Sequence, residues 1–422
     1  MRKMKDSGEI WMGAIPHDWN VGKLKYVAPE QRLTAQGKYQ YIGLENIEGG
    51  TGRLINYSNG DESNSLLARK GDVLFGKLRP YLSKSLLVKE DASCSGEFII
   101  MRPRKIRADF LTYITLDPSF VKQIDVSTYG TKMPRANWDY IGNLLIPIPN
   151  AAEQKEIVSY LNSRCAQIDE AIYRHRKAID KLDDYWRVIV SKAVTKGLDS
   201  QVPLRDSGYA WIGSIPSHWK VMKLSFFSTS VLGKMLDQRQ ETGINVHRYL
   251  SNKDVQWFRI NTEELSEMSF PENSHARYGL QRNDILICEG GEVGRCGIWE
   301  KNNSNIYFQK ALHRLRVLQN IALPKFIAYQ IYQKACSNNF IEVRKGEATI
   351  AHLPGDQLKK LKFVLPPLHE QNEIVTYLDR QYAAVNEAIG RQRRIINKLI
   401  EYRQSLIHVA VTGRIDCTKE PL

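Results

Sequence analysis

Between residues 161 and 193 seam positions recur every seven residues in two interleaved series, almost all of them apolar. One series runs Leu161, Ile168, His175, Leu182 and Ile189, and the other, four residues on, runs Cys165, Ile172, Ile179, Trp186 and Ala193. The same stripe returns 217 residues later as Leu378, Val385, Gln392, Leu399 and Leu406 with Tyr382, Ile389, Ile396, Arg403 and Ala410. Such a and d positions make a single apolar seam along a helix. Two helices of about 40 residues are therefore predicted, each roughly 60 Å long at 1.5 Å per residue, which exceeds the width of a small domain. Pro147 and Pro149, or Pro366 and Pro367, mark the starts, and Gly197 or Gly413 the stops. Asn150 with Glu153 fits a capping box in the first copy only.

A long helix with one seam needs a mate, and the chain supplies one in its other copy. His175 and Gln392 hold the same mid-helix position, so an antiparallel pair brings them into one central layer; the alternative is that each is an ordinary polar residue tolerated in a seam. The predicted helix–helix interface comprises Leu161, Ile168, Ile172, Ile179, Leu182 and Ile189 against Leu378, Val385, Ile389, Ile396, Leu399 and Leu406. Antiparallel pairing implies two flanking bodies at opposite ends of a rod, related by an approximate two-fold axis.

The repetition extends beyond the helices. "DSGEIWMGAIPHDW" at 6–19 returns as "DSGYAWIGSIPSHW" at 206–219 with eight of fourteen positions identical, and "AEQKEIVSYLN" at 152–162 returns as "HEQNEIVTYLD" at 369–379 with seven of eleven. The offsets are 200 and 217, so the second copy carries 17 more residues between its shared ends. Two like frames thus surround two unlike bodies. The expected division is a body over 1–149, a helix over 150–199, a second body over 200–367 and a second helix over 368–416. In each body short apolar runs alternate with turns ("GDVLFGKL" at 71–78, "EFIIMRP" at 97–103, "NDILICE" at 283–289, "HRLRVL" at 313–318), and helical stretches follow at 108–124 and 323–341. The fold class expected is α/β: two mixed domains, each followed by a long helix, with the helices packed as an antiparallel coiled coil.

Composition narrows the function. Lys and Arg number 60 against 46 Asp and Glu, a formal net charge of +14, which suits a polyanionic partner such as nucleic acid without establishing one. No apolar run reaches the length of a membrane span and the basic start lacks a secretory core, so a cytoplasmic protein without a membrane partner is expected. The six cysteines form no CxxC pair and no ligand spacing, so no metal site is expected. No phosphate loop, HExxH or GxSxG motif is present, and "GGEVGRCG" at 290–297 has no helical pattern behind it.

Basic and aromatic residues interleave in two turn-rich stretches of the first body. "GKLRPYLSK" offers Lys77, Arg79, Tyr81 and Lys84, and "GTKMPRANW" offers Lys132, Arg135, Asn137 and Trp138. Arg and Lys suit phosphates and guanine edges and Asn suits adenine, so these loops are candidates to grip and read a duplex. The alternative for any one residue is a solvated loop with a buried aromatic ring. In the second body "EGGEVGRCG" and "RKGEATIAHL" stand in the corresponding places, with different residues.

Taken in order, "WMGAIPHDW", "GDVLFGKLRPYLSK", "GTKMPRANW" and "IPNAAEQKEIVSYL" before a long helix, in a chain duplicated in two, resemble the DNA-specificity subunit of type I restriction-modification systems. The resemblance covers essentially the whole chain. It implies two target-recognition domains reading the halves of a bipartite double-stranded DNA target, with the helices as a spacer that sets the gap and docks two copies of a methyltransferase subunit, joined by restriction subunits. It also implies that this chain is non-catalytic and holds no cofactor, with S-adenosylmethionine, ATP and Mg belonging to the partners. In the second body, which lacks "LRPY" and "PRANW", the DNA-binding candidates rest on position alone: Lys234, Arg239, Arg295, Lys345 and His352. The opening Trp, Ile and Pro residues are read as pinning the entering strand to the core. The competing readings are a scaffold that tethers proteins through its coiled coil, and an RNA-binding protein, for which no RNP-like or KH context appears.

The spacer reading has a direct consequence. Four residues inserted in the seam add about 6 Å of helix against about 3.4 Å per base pair, so the unread gap, measured by methylation mapping, lengthens by one or two pairs. An unchanged gap contradicts the ruler.

Overall fold

A seam that repeats over five heptads, flanked by prolines before and glycine after, folds as two uninterrupted helices. In the computed structural model, which describes residues 2–58, 65–130, 132–235, 246–270, 274–302, 305–337 and 352–417, the first long helix runs Ala151–Lys196 and the second Leu368–Val411. The chain forms two compact units, residues 1–177 with 392–422 and residues 178–391. The units therefore do not follow the linear order of body and helix. Each body closes on parts of both long helices, because each seam stays exposed until a second seam covers it.

In the first unit Leu161, Ile168 and Ile172 share one buried core with Leu406, Ile407, Ala410 and Val411, with Ile396 and Leu399 partly buried against it. His175 Nδ1 meets Gln392 Oε1 at 2.5 Å, and six residues earlier Asp169 pairs with Arg403, eleven residues later on the second helix. Position rises on one helix as it falls on the other, so the pair is antiparallel. In the second unit Leu378, Val385 and Ile389 are buried with Trp186, Val190 and Ala193, with Ile179, Leu182 and Ile189 partly buried beside them. There Trp186 stacks near Tyr382 with ring centroids 5.2 Å apart.

The shared motifs turn out to be clasps, and each appears twice. Asp6 Oδ1 accepts from Gly8 N and Asp206 Oδ1 from Gly208 N, both at 3.0 Å, closing the opening turn. The indole of Trp19 donates to Glu153 Oε2 and that of Trp219 to Glu370 Oε2, both at 2.9 Å, so the last residue of the opening motif is tied to the first turn of the following helix. Next to each glutamate a buried glutamine caps the body's own helical segment: Gln154 Oε1 accepts from Arg107 N and Gln371 Oε1 from Leu323 N, both at 2.8 Å. Asn150 Oδ1 accepts from Glu153 N at 2.9 Å, one half of the expected capping box.

The bodies leave and return through matched strand pairs. Asn20–Lys23 pairs antiparallel with Leu145–Ile148, and Lys220–Lys223 with Lys362–Leu365. Within each body a four-stranded sheet has the same order. It runs Ser85–Leu87, Val73–Gly76, Phe98–Met101, Glu30–Gln31 in the first, and Cys296–Ile298, Ile285–Cys288, Leu312–Val317, Ser228–Leu232 in the second. A buried carboxylate anchors each: Asp72 takes both arms of Arg102 at 2.8 and 2.7 Å, and Asp284 both arms of Arg316 at 2.7 Å. Bidentate geometry of this kind is directional as well as strong. The stretch 108–124 is divided into Ala108–Leu116 and Pro118–Val126. Pro118 pushes Asp117 out of the helical region, and the Asp117 carboxylate then caps the next helix by accepting from Ser119 N and Phe120 N.

The second helix ends on the first opening motif. Gly413 has φ +67, and a Cβ there would lie 2.5 Å from the Pro16 ring and 2.8 Å from Trp19. Gly8 has φ +79 with nothing within 4 Å. Gly8→Ala is expected to cost about 1 kcal/mol for its left-handed backbone alone. Gly413→Ala adds overpacking of about 1–3 kcal/mol. Urea unfolding of the two variants measures the difference, and equal losses would contradict the packed helix end.

Candidate nucleic-acid interface

The strand Val73–Gly76 delivers the chain into the "GKLRPYLSK" stretch, and "GTKMPRANW", far along the sequence, folds back onto it. Lys77 N donates to Glu97 O at 2.9 Å, its carbonyl accepts from Ala136 N at 2.8 Å, and Arg79 N donates to Pro134 O at 2.8 Å. Leu78 and Arg135 form an isolated β-bridge. The two stretches are thus one surface.

The side chains on it divide by partner. Arg79 and Lys132 are exposed, and Tyr81 is 52% exposed. Arg79 stands in the left-handed region at φ 51, directly before the turn Pro80–Leu82. Lys77 is half-buried. Arg135 is half-exposed and pairs with Glu97 at 2.7 Å. The remaining three candidates serve the fold. Lys84 Nζ donates to Leu44 O at 2.6 Å. The Asn137 side chain caps the short helix Trp138–Ile141 by accepting from Asp139 N at 3.1 Å. Trp138 packs against the first core.

The second body builds the same junction from other residues. Glu289 takes the backbone place of Lys77, with its N donating to Ala311 O at 3.0 Å and its carbonyl accepting from Leu353 N at 2.8 Å. Gly290 and His352 form the bridge that Leu78 and Arg135 form in the first. The buried Glu289 carboxylate lies 3.1 Å from the exposed His352 and 3.8 Å from the buried His313. Burial holds the His313 imidazole below its ordinary range, against the opposing pull of the Leu353 carbonyl and Glu289. Arg295 is spent on Asn252 O at 2.8 Å and Glu292 at 3.1 Å. Lys234 donates to Ser269 O at 2.5 Å and lies over the Phe270 ring at 5.3 Å. Arg239 and Lys345 lie outside the described residues.

Sequence reasoning passed over Glu97 and Glu289, the carboxylates that hold the bridging residues Arg135 and His352. The signal for them is structural. Each sits where one strand of the central sheet begins or ends, and neither spacing nor composition marks it. Among the described residues no group of three His, Cys, Asp or Glu is placed to hold a metal ion, and no helix is long and apolar enough to cross a membrane.

The profile of the type I restriction modification DNA specificity domain matches this chain twice, over residues 16–174 and 216–395. The EcoKI type I restriction enzyme specificity subunit of Escherichia coli strain K12 is 24% identical over 327 residues, 75% of this chain and 68% of that protein. The MjaVIII specificity subunit of Methanocaldococcus jannaschii is 23% identical over 425 residues, 95% of this chain and 94% of that one. A chain from the solved structures of a type I R-M system superimposes with a TM-score of 0.71 at 20% identity, covering 95% of this chain and 99% of that chain, which shows a shared fold.

The division by partner is testable in the isolated chain. Tyr81→Ala and Lys132→Ala, which remove solvent-facing groups, should change unfolding free energy by less than about 0.5 kcal/mol. Asn137→Ala loses a helix cap and should cost about 1 kcal/mol. Denaturant unfolding decides it, and an Asn137→Ala variant as stable as the parent would free that side chain for a ligand.

Proposed function

We propose, from the premise that the chain belongs to the type I restriction-modification DNA specificity family, that its two loop junctions are the DNA-reading surfaces. The chain is a DNA sequence-specificity subunit. In the finer reading, each unit reads one half of a bipartite duplex target and the paired helices set the unread interval. The same helices dock two methyltransferase subunits, which restriction subunits join. Methylation and cleavage belong to those partners, together with S-adenosylmethionine, ATP and Mg.

One observation carries this reading. The same backbone junction occurs in both units, with an equivalent bridge and two equivalent backbone hydrogen bonds, yet it presents Arg79, Tyr81, Lys132 and Arg135 beside the half-buried Lys77 in one, and Glu292 and His352 above the buried Glu289 in the other. A fold that keeps the frame and changes only the exposed chemistry is built to recognise two different things of one kind. A pure tether has no use for that difference. Cationic and aromatic groups contact phosphates and bases, and carboxylates accept from cytosine N4, so both surfaces are chemically suited to duplex grooves. Each correct base pair contributes about 1–3 kcal/mol, so two short half-sites suffice for selection within a genome.

Binding of the full chain with its methyltransferase to duplex DNA tests the reading. The complex should select one split sequence, with affinity falling steeply as salt rises. Lys132→Ala should weaken binding to all sequences and reduce the logarithmic salt slope by about one. Sequence-blind binding, or a salt slope unchanged by Lys132→Ala, contradicts it.

A further inference from the structure

A matched hairpin sits between each reading loop and the long helices. In the first unit it pairs Ile47–Glu48 with Arg53–Leu54, and in the second Val255–Gln256 with Arg259–Ile260. Each hairpin touches its reading loop. Gly50 N donates to Ser83 O at 2.9 Å, and a Cβ on Gly49 would lie 2.5 Å from Leu82 O, so the backbones run directly against each other. In the second unit Trp257 Nε1 donates to Glu292 at 2.7 Å and Phe258 N to Cys296 O at 2.8 Å.

Each hairpin is also seated on the helix pair, and here the chemistry is opposite. Arg53 pairs with Glu48 at 2.7 Å and with Asp169 of the first long helix at 3.2 Å. Asp169 pairs in turn with Arg403 of the second long helix. In the second unit Phe258 lies 6.4 Å from Trp186 of the first helix and 5.2 Å from Tyr382 of the second. Arg403 and Trp186 occupy the same seam position 217 residues apart, and both are buried, at 5% and 4% exposure. One position therefore holds an ionic junction in one unit and an aromatic one in the other.

We propose that Asp169 and Arg403 are positioning residues for the half-site read by the first unit. With Arg53 they form a charge latch that sets the hairpin, and through it the loop at 77–84, on the helix pair. Trp186 serves the second half-site through aromatic packing. The inference rests on the reading that these loops face DNA. Arg403 is buried and Asp169 half-buried beside it, so removing the carboxylate leaves the guanidinium desolvated and without its counter-charge, and the hairpin above it loses its fixed seat. The aromatic cluster holds its hairpin through shape and ring-edge contacts, which no change of charge disturbs.

The test uses the full chain with its methyltransferase in competition binding, against the cognate duplex and duplexes changed by one base pair in either half. Asp169→Asn should lower discrimination in one half-site about tenfold, the scale of one lost base-pair preference, and leave the other within about twofold. Asp169→Glu, which keeps the carboxylate, should retain most of it. Trp186→Leu should produce its loss in the opposite half-site. Arg53→Gln, at the exposed end of the latch, should give a smaller loss in the same half as Asp169→Asn, and decides the question if Asp169→Asn does not fold. Equal losses in both halves, no loss in either, or Asp169→Asn and Trp186→Leu weakening the same half would each overturn the latch. A parent complex blind to sequence would overturn the DNA reading and the latch together.

Discussion

A helix of 44 or 46 residues with one apolar seam is unstable in water until that seam is covered, and this chain covers each seam with the other. That pairing closes both cores. The first unit draws Leu406, Ile407, Ala410 and Val411 from the far end of the chain, and the second draws Trp186, Val190 and Ala193 from the first helix. Neither repeat completes a core from its own residues. Within this chain each frame thus depends on the other to bury its helix.

On that pairing rest the clasps that repeat with it. Trp19 to Glu153 and Trp219 to Glu370 fasten each opening motif to a helix start. Gln154 and Gln371 fasten the body's helical segment to the same turn, and the strand pairs at 20–23 with 145–148 and 220–223 with 362–365 close the body behind it. These contacts explain why the sequence is alike at the ends of each copy and unlike within. The ends carry interactions that admit few residue types. The interior has only to preserve a sheet and its Asp–Arg anchor, which leaves its exposed loops free to differ in charge and shape. In the proposed reading, specificity is carried where the fold makes least demand.

The frame was legible in the sequence because its determinants are periodic or repeated. Heptad spacing located both helices, and the equivalence of His175 and Gln392 put them in one layer, as their 2.5 Å contact shows, while the Asp169–Arg403 pair adds the antiparallel direction. The two candidate loops were legible as turn-rich basic and aromatic stretches. Which of their side chains face outward was not. Lys84 and Asn137 look like DNA ligands by residue type, yet one donates to a carbonyl and the other caps a helix, and composition does not separate an outward amide from one turned back on its own backbone. The break at Asp117 follows from Pro118 once the helix is known to continue. Arg403 and Trp186 read in sequence as irregularities of a seam. Their meaning depends on the hairpins that pack on them, contacts of long sequence separation that no local pattern reports.

The central claim is that two like frames present interchangeable readers. It is tested most directly by replacing residues 224–361 with residues 24–144, so that both frames carry the first body, and mapping the methylated sequence of the resulting complex. With the frames two-fold equivalent, the account predicts a palindromic split target built from the first half-site and its inverted repeat. A target that keeps the second half-site of the parent chain would contradict it.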